Sequence, residues 1–303
     1  MQFPTKIKVI EVGPRDGLQS LDRWIPTKDK IEMINLLSKA NFPVIEVSSF
    51  AHPKVVPMLN DVEKVFEQIN RRPGIVYRAL APNLKGTTRA IQTGMVDEIL
   101  GLLTVSETYS IKNQNMSLDE AIEEAEKSYQ VCEKANISFV MAIGVAFYCP
   151  YEGVIPNEKI LYVVKQLYDK GIKKIYLAAS TGMENPSNIN YIFNIIKDKY
   201  VDLECGFHVH ERLGMAAANM FSAIDAGAVS IEGSICGIGG GIAMPNGTGD
   251  IGNLPTEDIV NMLNRSSIDT QLNTTQVYET ANKISSLLKI KSRSRGIIEN
   301  FDI

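Results

Sequence analysis

The sequence predicts an α/β protein, a (β/α)₈ TIM barrel with a C-terminal helical extension. Three observations carry that expectation. Strand-like and helix-like patterns alternate along the chain, eight such pairs can be counted, and 303 residues is about the usual length of that architecture. With 45% hydrophobic and 22% charged residues, the chain can bury one large core. No linker or low-complexity stretch interrupts the alternation, so 1–303 reads as a single domain, with its last helix starting at about 274.

The first strand is the apolar run 7–12, stopped by Gly13-Pro14-Arg15-Asp16-Gly17, which leaves Arg15 and Asp16 at a strand's C-terminal end. A helix fits 28–40, with Thr27 as its N-cap. The second strand, 43–50, carries Glu46 among β-branched neighbours. Helices at 60–69 and 84–94 lead to strands at 75–80 and 98–104. The longest helical pattern, 118–135, precedes a strand at 138–145. Three more pairs follow, with helices at 159–170, 189–197 and 213–226 and strands at 174–179, 203–208 and 229–232. A helix at 257–263 completes the eighth unit, and 275–288 forms the extension. The basic stretch 289–295 reads as a solvated tail.

Composition narrows the function. A net charge of -4 gives no reason to expect nucleic acid. The cysteines at 132, 149, 205 and 236 are scattered and show neither zinc spacing nor a disulfide framework, so they read as reduced thiols. The first residues lack the apolar core of a signal peptide, and no apolar run reaches membrane-spanning length. A soluble cytoplasmic protein is expected.

Two of only three histidines stand two residues apart in Gly206-Phe207-His208-Val209-His210. Residues i and i+2 of a strand share a face, so both imidazoles would enter one pocket, as two ligands of one divalent metal or as hydrogen-bonded core histidines. The barrel favours the metal. Its active site lies at the C-terminal ends of the strands, where Arg15, Asp16, Glu46, His208 and His210 all fall. One Asp with two His suits a hard-to-borderline ion, Mg²⁺ or Mn²⁺, that keeps positions open for substrate. The glycine-rich loop 237–253 after the eighth strand allows close approach to a ligand, and its frame does not fit a dinucleotide fingerprint.

The motifs also carry a resemblance. Glu11-Val12-Gly13-Pro14-Arg15-Asp16-Gly17-Leu18-Gln19, then Ile45-Glu46-Val47-Ser48-Ser49-Phe50 with Pro53-Lys54-Val55-Val56-Pro57, resemble the 3-hydroxy-3-methylglutaryl-CoA lyase family. So do Ala81-Pro82-Asn83-Leu84-Lys85-Gly86, Cys149-Pro150-Tyr151-Glu152-Gly153 and Gly252-Asn253-Leu254-Pro255-Thr256-Glu257-Asp258. The resemblance implies that Asp16, His208, His210 and Asn253 hold a divalent metal, and that Arg15, Glu46 and His208 are catalytic. It further implies that Gln19, Ser49, Asn83, Gly239, Gly240 and Gly241 meet the substrate, an acyl-CoA cleaved to acetyl-CoA and a keto acid. A homodimer is a further expectation.

Three positions depart from the family. Gly241 stands where the lyases carry a loop cysteine, Ala179-Ser180 where they have Asp-Thr, and Glu211-Arg212-Leu213 where they usually have Asp-Thr-Tyr. These departures leave the metal set and Arg15 intact. They keep open a related lyase or Claisen-type condensing enzyme on another acyl-CoA or 2-oxo acid, and a barrel that binds acyl-CoA without catalysis.

Overall fold

The computed structural model describes residues 3–240 and 251–296. Strand β1 (Lys8–Glu11) leads through one π-helical turn, residues 13–17, to α1 (Thr27–Lys39) and β2 (Val44–Ser49). Then come α2 (Val62–Gln68), β3 (Val76–Leu80), α3 (Leu84–Thr93) and β4 (Glu98–Thr104). Two helices, α4 (Glu107–Gln114) and α5 (Leu118–Ala135), precede β5 (Ser138–Gly144). A small hairpin of β6 (Tyr148–Cys149) and β7 (Gly153–Val154) is followed by α6 (Asn157–Asp169), β8 (Lys174–Ala179), α7 (Pro186–Lys199) and β9 (Glu204–Glu211). The chain continues through α8 (Ala216–Asp225), β10 (Ser230–Gly233), β11 (Gly252–Asn253), α9 (Thr256–Arg265) and α10 (Thr274–Leu288).

Eight parallel strands pair in the order β10-β1-β2-β3-β4-β5-β8-β9, and β10 pairs back to β9, which closes the barrel. β11 adds to β9 antiparallel, with Asn253 opposite His210. Local signals explain most boundaries. Ser117 and Glu120 form a capping box at the start of α5, and Asn136 ends it in the left-handed region. Asn83 caps α3, and Gly94 at φ 66° closes it. Among the described residues, no helix is long and apolar enough to cross a membrane, and all four cysteines are free and buried.

The structure corrects three expectations. Thr27 is the first residue of α1 rather than its cap; Pro26 holds the cap position, and the Thr27 hydroxyl donates to Asp61 at 2.7 Å. The basic stretch after α10 is no free tail. Arg293 N–H donates to the Cys236 carbonyl at 3.0 Å, and Ser294, Arg295 and Gly296 all bond the Asp258 carboxylate. Helix α4 was not expected, because eight residues with little apolar patterning give a weak periodic signal.

The barrel interior is unusual in its charge. Arg78 of β3 reaches Glu98 of β4 at 2.9 Å and Glu232 of β10 at 2.6 Å. β3 and β10 are not neighbours, so those side chains meet across the inside of the barrel. Barrel interiors are usually filled by bulky branched residues. Here an apolar cluster of Leu80, Leu100, Val140, Ala142, Tyr176 and Ala178 lies along β3, β4, β5 and β8, and a smaller one of Ile10, Val12 and Val44 lies by β1 and β2.

Candidate active site and metal centre

Asp16, His208 and His210 offer ligand atoms that all lie within 4.8 Å of one another, and all three are buried. The π-helical turn after β1 sets Asp16, whose N–H donates to the Val12 carbonyl at 2.7 Å. β9 supplies the histidines on one face, as the i, i+2 spacing predicts. Their Nε2 atoms face each other at 2.8 Å, and the Nδ1 atom of His208 lies 3.2 Å from Glu232 Oε2. Burial, reinforced by the charge of His208, pushes His210 down to about 3, so its imidazole is neutral.

Asn253 completes the corner. Its Nδ2 donates to Asp16 Oδ2 at 2.7 Å and to the Ile238 carbonyl at 3.0 Å, while its buried Oδ1 has no hydrogen-bond partner among the described residues. A buried amide oxygen without a partner is costly unless something else occupies it. Beside a carboxylate and two imidazoles, that oxygen makes the set fit a divalent cation. Gly239 permits the packing: its φ is 143°, and a Cβ there would stand 1.9 Å from Asn253 Nδ2.

Arg15 leans across this corner. Its Nε bonds Glu46 and its Nη1 donates to Asp16 Oδ1 at 2.7 Å; Gln19 Nε2 donates to the same Asp16 oxygen at 2.9 Å. Burial would raise the Asp16 carboxyl, but Arg15 above all, then His208, outweighs it and holds Asp16 below its usual range. Glu46 shifts upward, from burial and from the neighbouring Glu232 charge. Glu232 shifts downward against its burial, because His208 and Arg78 favour its ionised form.

A cavity of about 250 Å³ opens beside these groups. Arg15, Asp16, Gln19, Asn83, His208 and His210 line it on one side; Leu80, Leu102, Ala142 and Ala178 line it on the other. Helix α4 overhangs it with Tyr109, Asn113 and Gln114. Other expected residues stand elsewhere. Glu46 is fully buried and reaches the site through Arg15. Ser49 is buried, its hydroxyl accepting the Ala51 N–H, and neither it nor Gly239 nor Gly240 is part of the cavity wall. Gly241 lies outside the described residues. Ala179 packs in the core layer beneath the helices, so its missing carboxylate does not alter the wall; Ser180 is the residue that does line it. Sequence reasoning missed Arg78, Glu232 as the partner of His208, and Tyr176. A charge inside an otherwise apolar strand, the signal that picked out Glu46, could have found the first two.

The chain matches the HMGL-like family model over residues 6–284. The chain belongs to the HMGL-like family. It is 34% identical over 297 residues to the hydroxymethylglutaryl-CoA lyase YngG of Bacillus subtilis, covering 98% of each chain. It is 36% identical over 293 residues to the mitochondrial hydroxymethylglutaryl-CoA lyase of Mus musculus, covering 97% of this chain and 89% of the other. A structure of an HMG-CoA lyase from Acinetobacter baumannii, in complex with coenzyme A and 3-methylmalate, superposes with a TM-score of 0.92 at 31% identity, over 100% of this chain and 98% of that one. This HMGL-like barrel therefore shares its whole architecture with enzymes named as lyases.

Proposed function

We propose that the chain cleaves a 3-hydroxyacyl-CoA to acetyl-CoA and a keto acid, with hydroxymethylglutaryl-CoA giving acetoacetate. It is a hydroxymethylglutaryl-CoA lyase-like carbon–carbon lyase. The observation that carries the substrate reading is the meeting of Asp16, His208 and His210 beside Arg15 at the wall of a cavity with an apolar far side. Asp16, His208, His210 and the Asn253 amide oxygen would hold a divalent ion, Mg²⁺ or Mn²⁺ by the mixed carboxylate and imidazole set. When bound, that ion lowers the pKa of the substrate hydroxyl and orients it.

The chain's own groups do the rest. His208, with Nδ1 fixed on Glu232, presents a single nitrogen, Nε2, to the cavity. Nε2 would be its ligand atom, with its lone pair committed to the ion, while Glu232 fixes that tautomer through Nδ1; the acidified hydroxyl releases its proton to the solvent of the open cavity. Arg15 holds the developing enolate oxygen, and Glu46 positions Arg15 through its Nε. Gln19 steadies Asp16, and Asn83 lines the cavity, where a polar group of the substrate can meet it. The four buried free thiols support a cytoplasmic setting, and the frequency of two-fold assemblies supports a homodimer.

A second reading keeps this chemistry on another acyl-CoA or in the condensing direction. The apolar far wall favours it, since a more apolar acyl group would also fit there. The first test incubates the protein with hydroxymethylglutaryl-CoA and Mg²⁺ or Mn²⁺, beside a chelated control, and measures acetoacetate. Product that requires the metal is expected. No product from a folded, metal-loaded sample would overturn this substrate and turn the search to other 3-hydroxyacyl-CoA esters.

A further inference from the structure

We infer that Tyr176 is a catalytic residue, whose hydroxyl donates to the thioester oxygen of the substrate and shares the enolate charge with Arg15. The inference rests on the lyase reading and adds a second donor to it.

Tyr176 lies in the middle of β8 and lines the same cavity as Arg15 and His208. It is 5% exposed and lines the cavity, and no hydrogen bond to its hydroxyl is found among the described residues. Buried tyrosine hydroxyls usually find one, so an unpartnered hydroxyl at a cavity wall points to a ligand oxygen. Its ring stacks on His208 with centroids 5.9 Å apart and planes at 29°, which fixes its direction. The strands on either side leave it room, because Ala142 of β5 and Gly206 of β9 stand beside it in register.

Arg15 supplies the matching half. Its Nε and Nη1 are taken by Glu46 and Asp16, while Nη2 has no partner among the described residues. Arg15 and Tyr176 both line the same cavity, so the two donors can reach one ligand oxygen. Burial and the charges of Glu232 and Glu46 keep the phenol protonated, which leaves it a donor.

The cleavage balances without another reactant. The C3 hydroxyl loses a proton, the C2–C3 bond breaks, and its electron pair moves into the thioester enolate, whose oxygen receives the Tyr176 hydrogen bond. One proton then adds at C2, equal to the one lost. Tyr176 acts on the oxygen, before C2 is protonated.

The test separates this donor from the choice of substrate. Metal-loaded protein is incubated with acetyl-CoA in D₂O, and exchange of the methyl protons, which needs the enolate alone, is followed by mass spectrometry. Tyr176→Phe keeps the ring and its stacking and removes one O–H. Exchange about 100-fold slower, with metal content and melting temperature unchanged, is expected from the loss of one preorganised oxyanion donor. Equal exchange in variant and parent would overturn the assignment, and so would a parent that exchanges nothing. A parent that exchanges acetyl-CoA yet does not cleave hydroxymethylglutaryl-CoA would overturn the substrate and leave Tyr176 in place. Tyr176→Ala with an exchange rate equal to that of Tyr176→Phe would assign the whole effect to the hydroxyl; a rate restored to the parent's would overturn it.

Discussion

The interior of the barrel has two walls of opposite character. On the side of β1, β2, β3, β9 and β10, Arg15, Glu46, Arg78, Glu232, His208 and Asp16 form a nearly continuous chain of charge and hydrogen bonds. On the side of β4, β5 and β8, Leu100, Leu102, Val140, Ala142 and Ala178 are apolar, and polar groups come from Glu98 at the start of β4 and from the Tyr176 hydroxyl. One barrel thus carries reactive groups and a surface for carbon face to face. Buried charge is stable there because each acid meets a cation: Arg78 holds both Glu98 and Glu232 below their usual range against the effect of burial.

The sharpest break in the comparison is at Arg15, the one polar-wall cation that also faces the cavity. Arg15→Gln is expected to lower turnover by about 10³-fold with metal content unchanged, since it removes a charge aimed at the developing oxyanion. Unaltered turnover in a steady-state assay would remove Arg15 from the chemistry.

Arg78 tests the polar wall as structure. Arg78→Met removes the cation shared by Glu98 and Glu232, leaving Glu232 with His208 and Glu98 with Ser138 and a more distant Lys174, and should destabilise the fold by about 3 kcal/mol, the lower end of the cost of breaking a buried pair. A denaturation midpoint equal to the parent's would show that these acids take up protons without penalty.

A third set of buried acids sharpens the point by contrast. Behind β10, Glu11 and Glu257 are held by backbone N–H groups, and burial raises them to about 7 and about 8. Folded Glu257 keeps a proton that the unfolded chain releases above 4.5, so stability must fall as pH rises from about 4.5 to about 8. Glu257→Gln should flatten that decline by something on the order of 3 kcal/mol. Thermal melts of parent and variant with the same pH slope would contradict it.

The smallest effect is expected on the apolar wall. Ala142→Leu fills part of the cavity without touching a charge, and should raise KM about tenfold while metal affinity stays as it was, in line with the cost of a misfitted methylene or two. If metal affinity fell with it, the two walls would not be separable.

Much of this was legible in the chain. The alternation predicted the eight strands, and β4 and α5 run over the expected residues. The His208 and His210 pair was placed on one face by strand period alone, because period 2 is a local property of extended backbone. Asp16 and Arg15 were placed at the right end of β1 by a turn whose glycines and proline lie next to them in sequence. What the chain could not give was the content of the barrel's interior. Arg78 and Glu232 are 154 residues apart, and nothing local in either strand names the other. Tyr176 reads as an ordinary strand residue until closure of the barrel sets it against His208. Ala179 reads as a lost active-site group until its strand turns it toward the helices. Sequence determined the elements and which residues share a face, because those follow from backbone period and turn chemistry. Only the closed sheet decided which faces meet, because strand tilt and register bring distant residues into one low-dielectric space where charges must pair.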